Sequence, residues 1–275
     1  MGHGGIAITR CPFVCTLVAR TRAMRIDLNA DVGESFGVYS VGDDLAVMRS
    51  VSSVSVAAGF HAGDPTVLRR TIAHARTLGV AVGAHPSFPD LPGFGRREMR
   101  LPASDAEDLV LYQVAAVAGV ARAEGVELAH VKPHGALYNM AAGDHTLAEA
   151  IARAVFAFDA QLVLYAPPRS ALAAAGRAIG LRVAVEAFAD RAYRADGSLV
   201  PRGEPEAVIG QIEEVVNRAM LIAAERAVTA IDGTRIQLDA DTICIHGDTP
   251  GAASMAAWIR AGLQSAGVDV KPPRA

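Results

Sequence analysis

The chain has few cysteines, almost no lysine and no long apolar run, and each shortage excludes something. Its 275 residues include three cysteines, Cys11, Cys15 and Cys244, too few for a disulfide framework. Cys11 and Cys15 stand four apart, not in a CxxC, and no neighbouring His/Cys cluster completes a zinc site. The expectation is a reducing, cytoplasmic setting. Only Lys132 and Lys271 are lysines among 26 basic residues, leaving 24 arginines, so a lysine inside a motif stands out. No uninterrupted apolar stretch approaches the ~18 residues of a membrane span. The mean hydropathy of +0.26 owes much to alanine. A net charge of −3 and a pI near 6.2 give no footprint for nucleic acid. Both lysines precede proline, so no Walker A loop exists. No GxGxxG follows the first strand, and HExxH does not occur.

What is present points to one large globular domain. Hydrophobic residues make up 51% of the chain and charged residues 20%, enough for a sizeable core and too apolar for disorder. Residues 1–23 fit no later pattern. They read as an extension ahead of a natural start at Met24, although 11–19 has some of the look of a short signal-peptide core. Residues 24–275 then form the domain.

Short apolar strands alternate with longer helices. Strands are expected at 25–30, 53–57, 80–84, 127–132, 161–165, 182–186 and 243–246. Helices are expected at 43–50, 65–78, 104–124, 144–158, 168–179, 206–227 and 249–266. Asp64 caps the second helix, Pro65 occupies its first position and Gly79 ends it. Ser104 with Glu107 reads as a capping box. Residues 85–103 and 187–204 are long loops, and 229–238 is a hairpin turning at Asp232-Gly233. Seven β-α repeats with buried strands predict a parallel sheet covered by helices. A closed or nearly closed barrel is favoured over an open doubly wound sheet.

The polar residues gather where each strand ends, the place where both folds build their sites. In D-L-N-A-D-V-G-E (27–34), Asp27, Asn29 and Asp31 share one strand face, and Leu28 and Ala30 take the other. His61 and Asp64 follow strand two in G-F-H-A-G-D-P, and His85 and Asp90 follow strand three in G-A-H-P-S-F-P-D. His130, Lys132 and His134 alternate in H-V-K-P-H, so all three can face one cavity. An inward lysine needs a carboxylate partner or an anionic ligand. Glu186, Asp190, Arg191 and Tyr193 follow strand six, where Arg191 could clamp a carboxylate. His246 and Asp248 follow strand seven, ahead of a helix N-terminus suited to anions. Six of seven strand ends thus carry His, Asp, Glu, Lys or Arg, which is the layout of an active-site mouth. Metal ligands could be assembled from separate strands, for example Asp27 or Asp31 with His61 and His85. Spacing alone does not fix such a set.

These segments, with A-G-F-H-A-G-D-P (58–65), V-K-P-H-G-A-L-Y-N (131–139), E-A-F-A-D-R-A-Y (186–193) and I-H-G-D-T-P-G-A (245–252), make the chain resemble the LamB/YcsF family, the A subunits of bacterial ATP-dependent 5-oxoprolinase. The resemblance spans about 24–270. It implies a distorted (β/α)₇ TIM-like barrel of the glycoside hydrolase/deacetylase type. It also implies cleavage of 5-oxo-L-proline to L-glutamate, with ATP as co-substrate and B and C subunits as partners. A divalent metal is a further candidate. On that reading Asp27 or Asp31, with His61, activates water or orients the ring. His134 and His246 transfer protons, and Asp248 orients His246. Lys132 and Arg191 handle anionic groups, while Asn29, His85 and Glu186 complete substrate binding. Two other readings stay open: a stand-alone metal-dependent deacetylase or amidohydrolase, and a non-catalytic carrier subunit.

Overall fold

The computed structural model describes residues 25–249 and 251–273; the expected extension at 1–23, with Cys11 and Cys15, lies outside them. The chain runs β1 (Arg25–Val32), α1 (Asp44–Met48), β2 (Ser53–Ala57), α2 (Pro65–Leu78), β3 (Ala81–His85), α3 (Ala103–Ala123), β4 (Leu128–Val131), α4 (Gly135–Ala141) and α5 (His145–Phe158). It continues through β5 (Val163–Ala166), α6 (Ala171–Ile179), β6 (Arg182–Phe188), α7 (Ile212–Glu225), β7 (Ala227–Thr229), β8 (Arg235–Gln237), β9 (Thr242–His246), α8 (Ala252–Ser265) and β10 (Asp269–Val270).

Seven strands close into a parallel barrel in the order β1-β2-β3-β4-β5-β6-β9, and β9 pairs back onto β1. Closure rules out the open sheet. The two-residue β10 adds to β1 beside Arg25 and Ile26, and β7-β8 is an antiparallel hairpin outside the barrel. Outward residues such as Leu28, Ala30, Val32, Val54, Val56, Val82 and Leu164 pack against the helices in one continuous core. Each fully buried side chain of this size contributes on the order of 1.5–3 kcal/mol. Among the described residues no helix is long and apolar enough to cross a membrane.

The inward faces are mostly polar. Asp27, Asn29 and Asp31 of β1 are all buried, and so are Ser53, Ser55, His130, Glu186 and Thr242. A seven-stranded barrel is narrow, and Gly83 shows how narrow: a Cβ there would overlap the His130 ring. That ring stacks on Tyr165 at 4.2 Å and meets the Ser55 hydroxyl at 3.2 Å. Burial, and then the Lys132 charge, lower its pKa to about 3. His130 is therefore a neutral filler of the barrel interior.

Local signals explain most element ends. The Asp64 carboxylate accepts from the N–H groups of Thr66 and Val67, and Gly79 closes α2 with φ +66°. The capping box is corrected: α3 starts at Ala103 after Pro102, Ser104 bonds to Asp105, and Glu107 pairs with Arg153. Proline fixes an extended φ at the cap and leaves Ser104 already inside the helix. The helix expected at 206–227 begins only at Ile212, because the preceding loop is docked by Ile209 N–H to the Asp190 carbonyl and Ala192 N–H to the Ala207 carbonyl.

Candidate active site at the barrel mouth

The strand alternation places a chain of hydrogen bonds along the barrel axis. At the N-terminal end, Asp27 accepts from four hydroxyls: Ser52 at 2.7 Å, Ser53 at 2.8 Å, Tyr165 at 2.9 Å and Thr242 at 2.6 Å. Burial raises its pKa, and these hydroxyls pull it back. Asp31 lies four residues further along β1, about 13 Å away at ~3.3 Å per residue. Asp27 thus seals the floor, away from the mouth where it was expected to work with His61.

One step up, Asn29 donates to Thr242 at 2.7 Å and to Glu186 at 3.0 Å. Lys132 then fills the axis. Its ammonium lies 2.8 Å from Glu186, 2.9 Å from Asp31, 3.2 Å from the Asn29 oxygen and 3.0 Å from Cys244 Sγ. Tyr138 of α4 donates to the other Glu186 oxygen at 2.7 Å. Burial opposes the lysine charge, but Asp31, Cys244 and Glu186 raise its pKa well above 10.5. Of the two partners expected for an inward lysine, the structure supplies carboxylates of the chain itself, Asp31 and Glu186.

At the rim, Glu34, His61, His85 and His134 come together. His61 and His134 stack at 3.9 Å with planes 9° apart. Glu34 Oε1 stands 3.3 Å from His61 Nε2 and 3.3 Å from His134 Nδ1. His134 Nδ1 is 3.0 Å from His85 Nε2, which is 3.3 Å from Asp31. Burial, and then neighbouring imidazoles, hold His61 and His134 well below 6.5. Burial, Asp31 and Asp248 push Glu34 well above 4.5. One donor atom from each of these four residues lies within 4.8 Å of the rest, so the group could hold a metal ion.

On the opposite wall, His246 Nδ1 pairs with Asp190 at 2.8 Å, and its ring stacks on Phe188 at 5.4 Å. Burial alone would raise the Asp190 pKa, but His246 holds it below 3.8. Asp248 is not the partner of His246; it pairs with Arg96 at 2.5 Å, nearer solvent. His246 ends β9, whose neighbour is β6, and Asp190 follows two residues after β6, whereas Asp248 lies in the turn beyond β9. Arg191 is likewise corrected. It donates to the carbonyls of Val200 at 2.6 Å and Ala207 at 3.2 Å and so ties down its own loop.

Sequence reasoning assigns no chemical role to Glu34, Tyr138 or Cys244, and names Asp190 at the end of strand six without its partner His246. Glu34 and Asp190 sit inside the quoted motif blocks, but both lie just past a strand end, where the period of two no longer assigns a face. The run Gly33-Glu34-Ser35-Phe36-Gly37 has nucleophile-elbow spacing. There Ser35 Oγ accepts from Val41 N–H at 3.0 Å and closes a loop.

Known proteins share this architecture. The LamB/YcsF family matches residues 26–275. The 5-oxoprolinase A subunit of Tolumonas auensis is 56% identical over 247 residues, covering 90% of this chain and 98% of that protein. The 5-oxoprolinase A subunit of Chloroflexus aggregans is 55% identical over 251 residues, covering 91% and 100%. Among solved structures, the lactam utilization protein of Thermus thermophilus superposes with a TM-score of 0.86 at 46% identity, over 90% of this chain and 99% of that one. This chain belongs to the LamB/YcsF family.

Proposed function

We propose that the barrel mouth binds 5-oxo-L-proline and takes part in its ATP-driven opening to L-glutamate, within a cytoplasmic assembly that includes B- and C-type subunits. The carrying observation is the convergence of Asp31, Lys132, Glu186, His61, His134 and His246 on one end of a closed barrel. It occurs in a chain more than half identical to proteins named as the A subunit of 5-oxoprolinase.

A five-membered lactam resists hydrolysis at neutral pH. Transfer of a phosphoryl group to its oxygen, with loss of the ring N–H proton, gives an imidate carbon that water attacks. Ring C–N cleavage, with the proton returned to the leaving amine, gives the acyl phosphate of glutamate, and a second water displaces phosphate to leave glutamate. Such a path needs a positioned proton carrier and fixed charges around the reacting carbon. His246, aligned by Asp190, is the proton carrier in this reading. Lys132, fixed between Asp31 and Glu186, supplies the preorganised field. His61 Nδ1, buried and without a hydrogen-bond partner, is a polar contact for the ring. In this reading ATP is the co-substrate of the assembly. A divalent ion held by Glu34 and the imidazoles would polarise an amide carbonyl.

Reconstitution tests the reading: ATP-dependent glutamate release is followed while each subunit is omitted in turn. Lys132→Met, Asp31→Asn and His134→Gln should each reduce turnover, and wild-type turnover in all three defeats the assignment. The Glu34 and histidine cluster favours a second reading, metal-dependent amide hydrolysis by this chain alone. A chelator would then abolish activity, and ATP would make no difference. A carrier role predicts weaker 5-oxoproline binding in calorimetry with an unaltered chemical step.

A further inference from the structure

A cyclic amide that carries a carboxylate needs a cation with donors to spare. Lys132 lies below the rim, engaged by Asp31 and Glu186. Arg191 spends donors on the carbonyls of Val200 and Ala207. Arg96 is placed differently. Its side chain is 37% exposed, and its bond to Asp248, at 2.5 Å, is made by Nη2 alone. A guanidinium can offer a carboxylate two parallel donors, and that fork is left unfilled.

The position of Arg96 is built, not accidental. Its guanidinium lies over the Phe94 ring, 4.9 Å from the centroid. The Phe94 ring in turn meets His61 and His134 edge to face at 5.7 and 5.4 Å. One aromatic ring therefore separates the arginine from the buried imidazoles. The backbone beneath it is pinned. The Phe94 carbonyl accepts from His134 Nε2 at 2.8 Å, the Gly95 carbonyl accepts from Ala136 N–H at 2.9 Å, and Arg96 N–H donates to the Gly93 carbonyl at 3.0 Å. Phe94 holds a left-handed φ of +55°, a conformation that a bulky residue keeps only where its surroundings impose it. Burial, Asp31 and Asp248 raise the Glu34 pKa and Arg96 lowers it, so the guanidinium is close enough to act on the buried rim.

We propose that Arg96 binds the carboxylate of the cyclic amide substrate, and that Asp248 occupies the same guanidinium until the substrate displaces it. The inference rests on the function proposed above and adds to it a binding residue and a built-in competitor. A partly exposed ion pair is weak, so exchanging one carboxylate for another costs little. Anchoring the carboxylate at the rim turns the ring amide down toward the buried groups. Arg96 is then a specificity residue: it selects a lactam with an acid group over the bare ring.

The reconstituted assembly tests this, with ATP-dependent glutamate release measured against 5-oxo-L-proline concentration. Arg96→Gln should raise KM at least about tenfold, with kcat changed less. Arg96→Lys keeps the charge without the planar fork and should fall between wild type and Arg96→Gln. Asp248→Asn removes the competitor and should lower KM about two- to fivefold. A latch that merely holds the loops predicts otherwise, because both substitutions break one pair and would shift KM in the same direction. As an inhibitor, 2-pyrrolidinone, the same ring without the carboxylate, should compete equally well in wild type and Arg96→Gln. Circular dichroism confirms folding, and if Arg96→Gln does not fold, Arg96→Lys and Asp248→Asn decide. An unchanged KM in folded Arg96→Gln, a KM raised by both Arg96→Gln and Asp248→Asn, or an equal loss of 2-pyrrolidinone inhibition overturns the assignment while glutamate release still supports the proposed function. No glutamate release by the complete wild-type assembly defeats the proposed function itself, and this assignment with it.

Discussion

Asp27 and Asp31 sit on the same face of the same strand and have opposite surroundings. At the floor, Asp27 is enclosed by four hydroxyls, and burial raises its pKa. At the mouth, Asp31 is equally buried, yet His85 and Lys132 hold its pKa well below 3.8. Hydroxyls spread a negative charge without offering any group that changes protonation near neutrality. An ammonium and imidazoles create a field and a route for protons. The residue type is the same; the partners separate a hydroxyl-caged floor from a mouth lined by ammonium and imidazole groups.

The contrast can be broken most severely at Lys132. Lys132→Met leaves Asp31 and Glu186 buried without their cation, so unfolding free energy should fall by about 3–5 kcal/mol and glutamate release should vanish. Denaturant melts alongside the reconstituted assay measure both. A double substitution with Asp31→Asn should cost less than the sum, since the two groups are in contact.

Asp190 and Asp248 sharpen the contrast within the mouth. Asp190→Asn should lower turnover by about 10²-fold or more by misaligning His246. Asp248→Asn removes only a partly exposed pair with Arg96, worth about 0.2–1 kcal/mol, and should leave turnover within a few-fold. Equal losses in the two variants would contradict the His246–Asp190 assignment.

At the floor, Asp27→Asn should leave kcat nearly unchanged and cost about 1–3 kcal/mol of stability through its disturbed hydroxyl cage. The pH dependence has a definite sign. The folded pKa of Asp27 is raised, so the folded state binds more protons than the unfolded state between 3.8 and the raised value. The wild type should therefore lose stability relative to Asp27→Asn as pH rises through that window, as urea midpoints at stepped pH would show.

Much of this is legible in the sequence, for physical reasons. Short apolar runs mark all seven barrel strands, and polar residues at the C-terminal ends of six of them mark the rim where the buried charges gather. The Asp64 and Gly79 caps act within a few residues, so local sequence specifies them. Helix α4 escapes the pattern because its seven residues follow directly from the P-H-G motif and lack a long apolar period. Partner choice is the weakest point: Asp248 is nearer than Asp190 to His246 in sequence, and only the pairing of β6 with β9 reverses that order. Arg191 reads as a ligand clamp until the loop carbonyls that consume its donors are visible.

The barrel closes through β9, near the end of the chain, which seats against β1 on one side and β6 on the other. While the protein is being translated, the six earlier strands form at most an arc with two raw edges, the kind of surface chaperones shield. During that time Asp27 lacks the Thr242 hydroxyl and Lys132 lacks the Cys244 wall. The axial cluster of Asp31, Lys132 and Glu186 therefore gains its last wall only when β9 docks between β1 and β6.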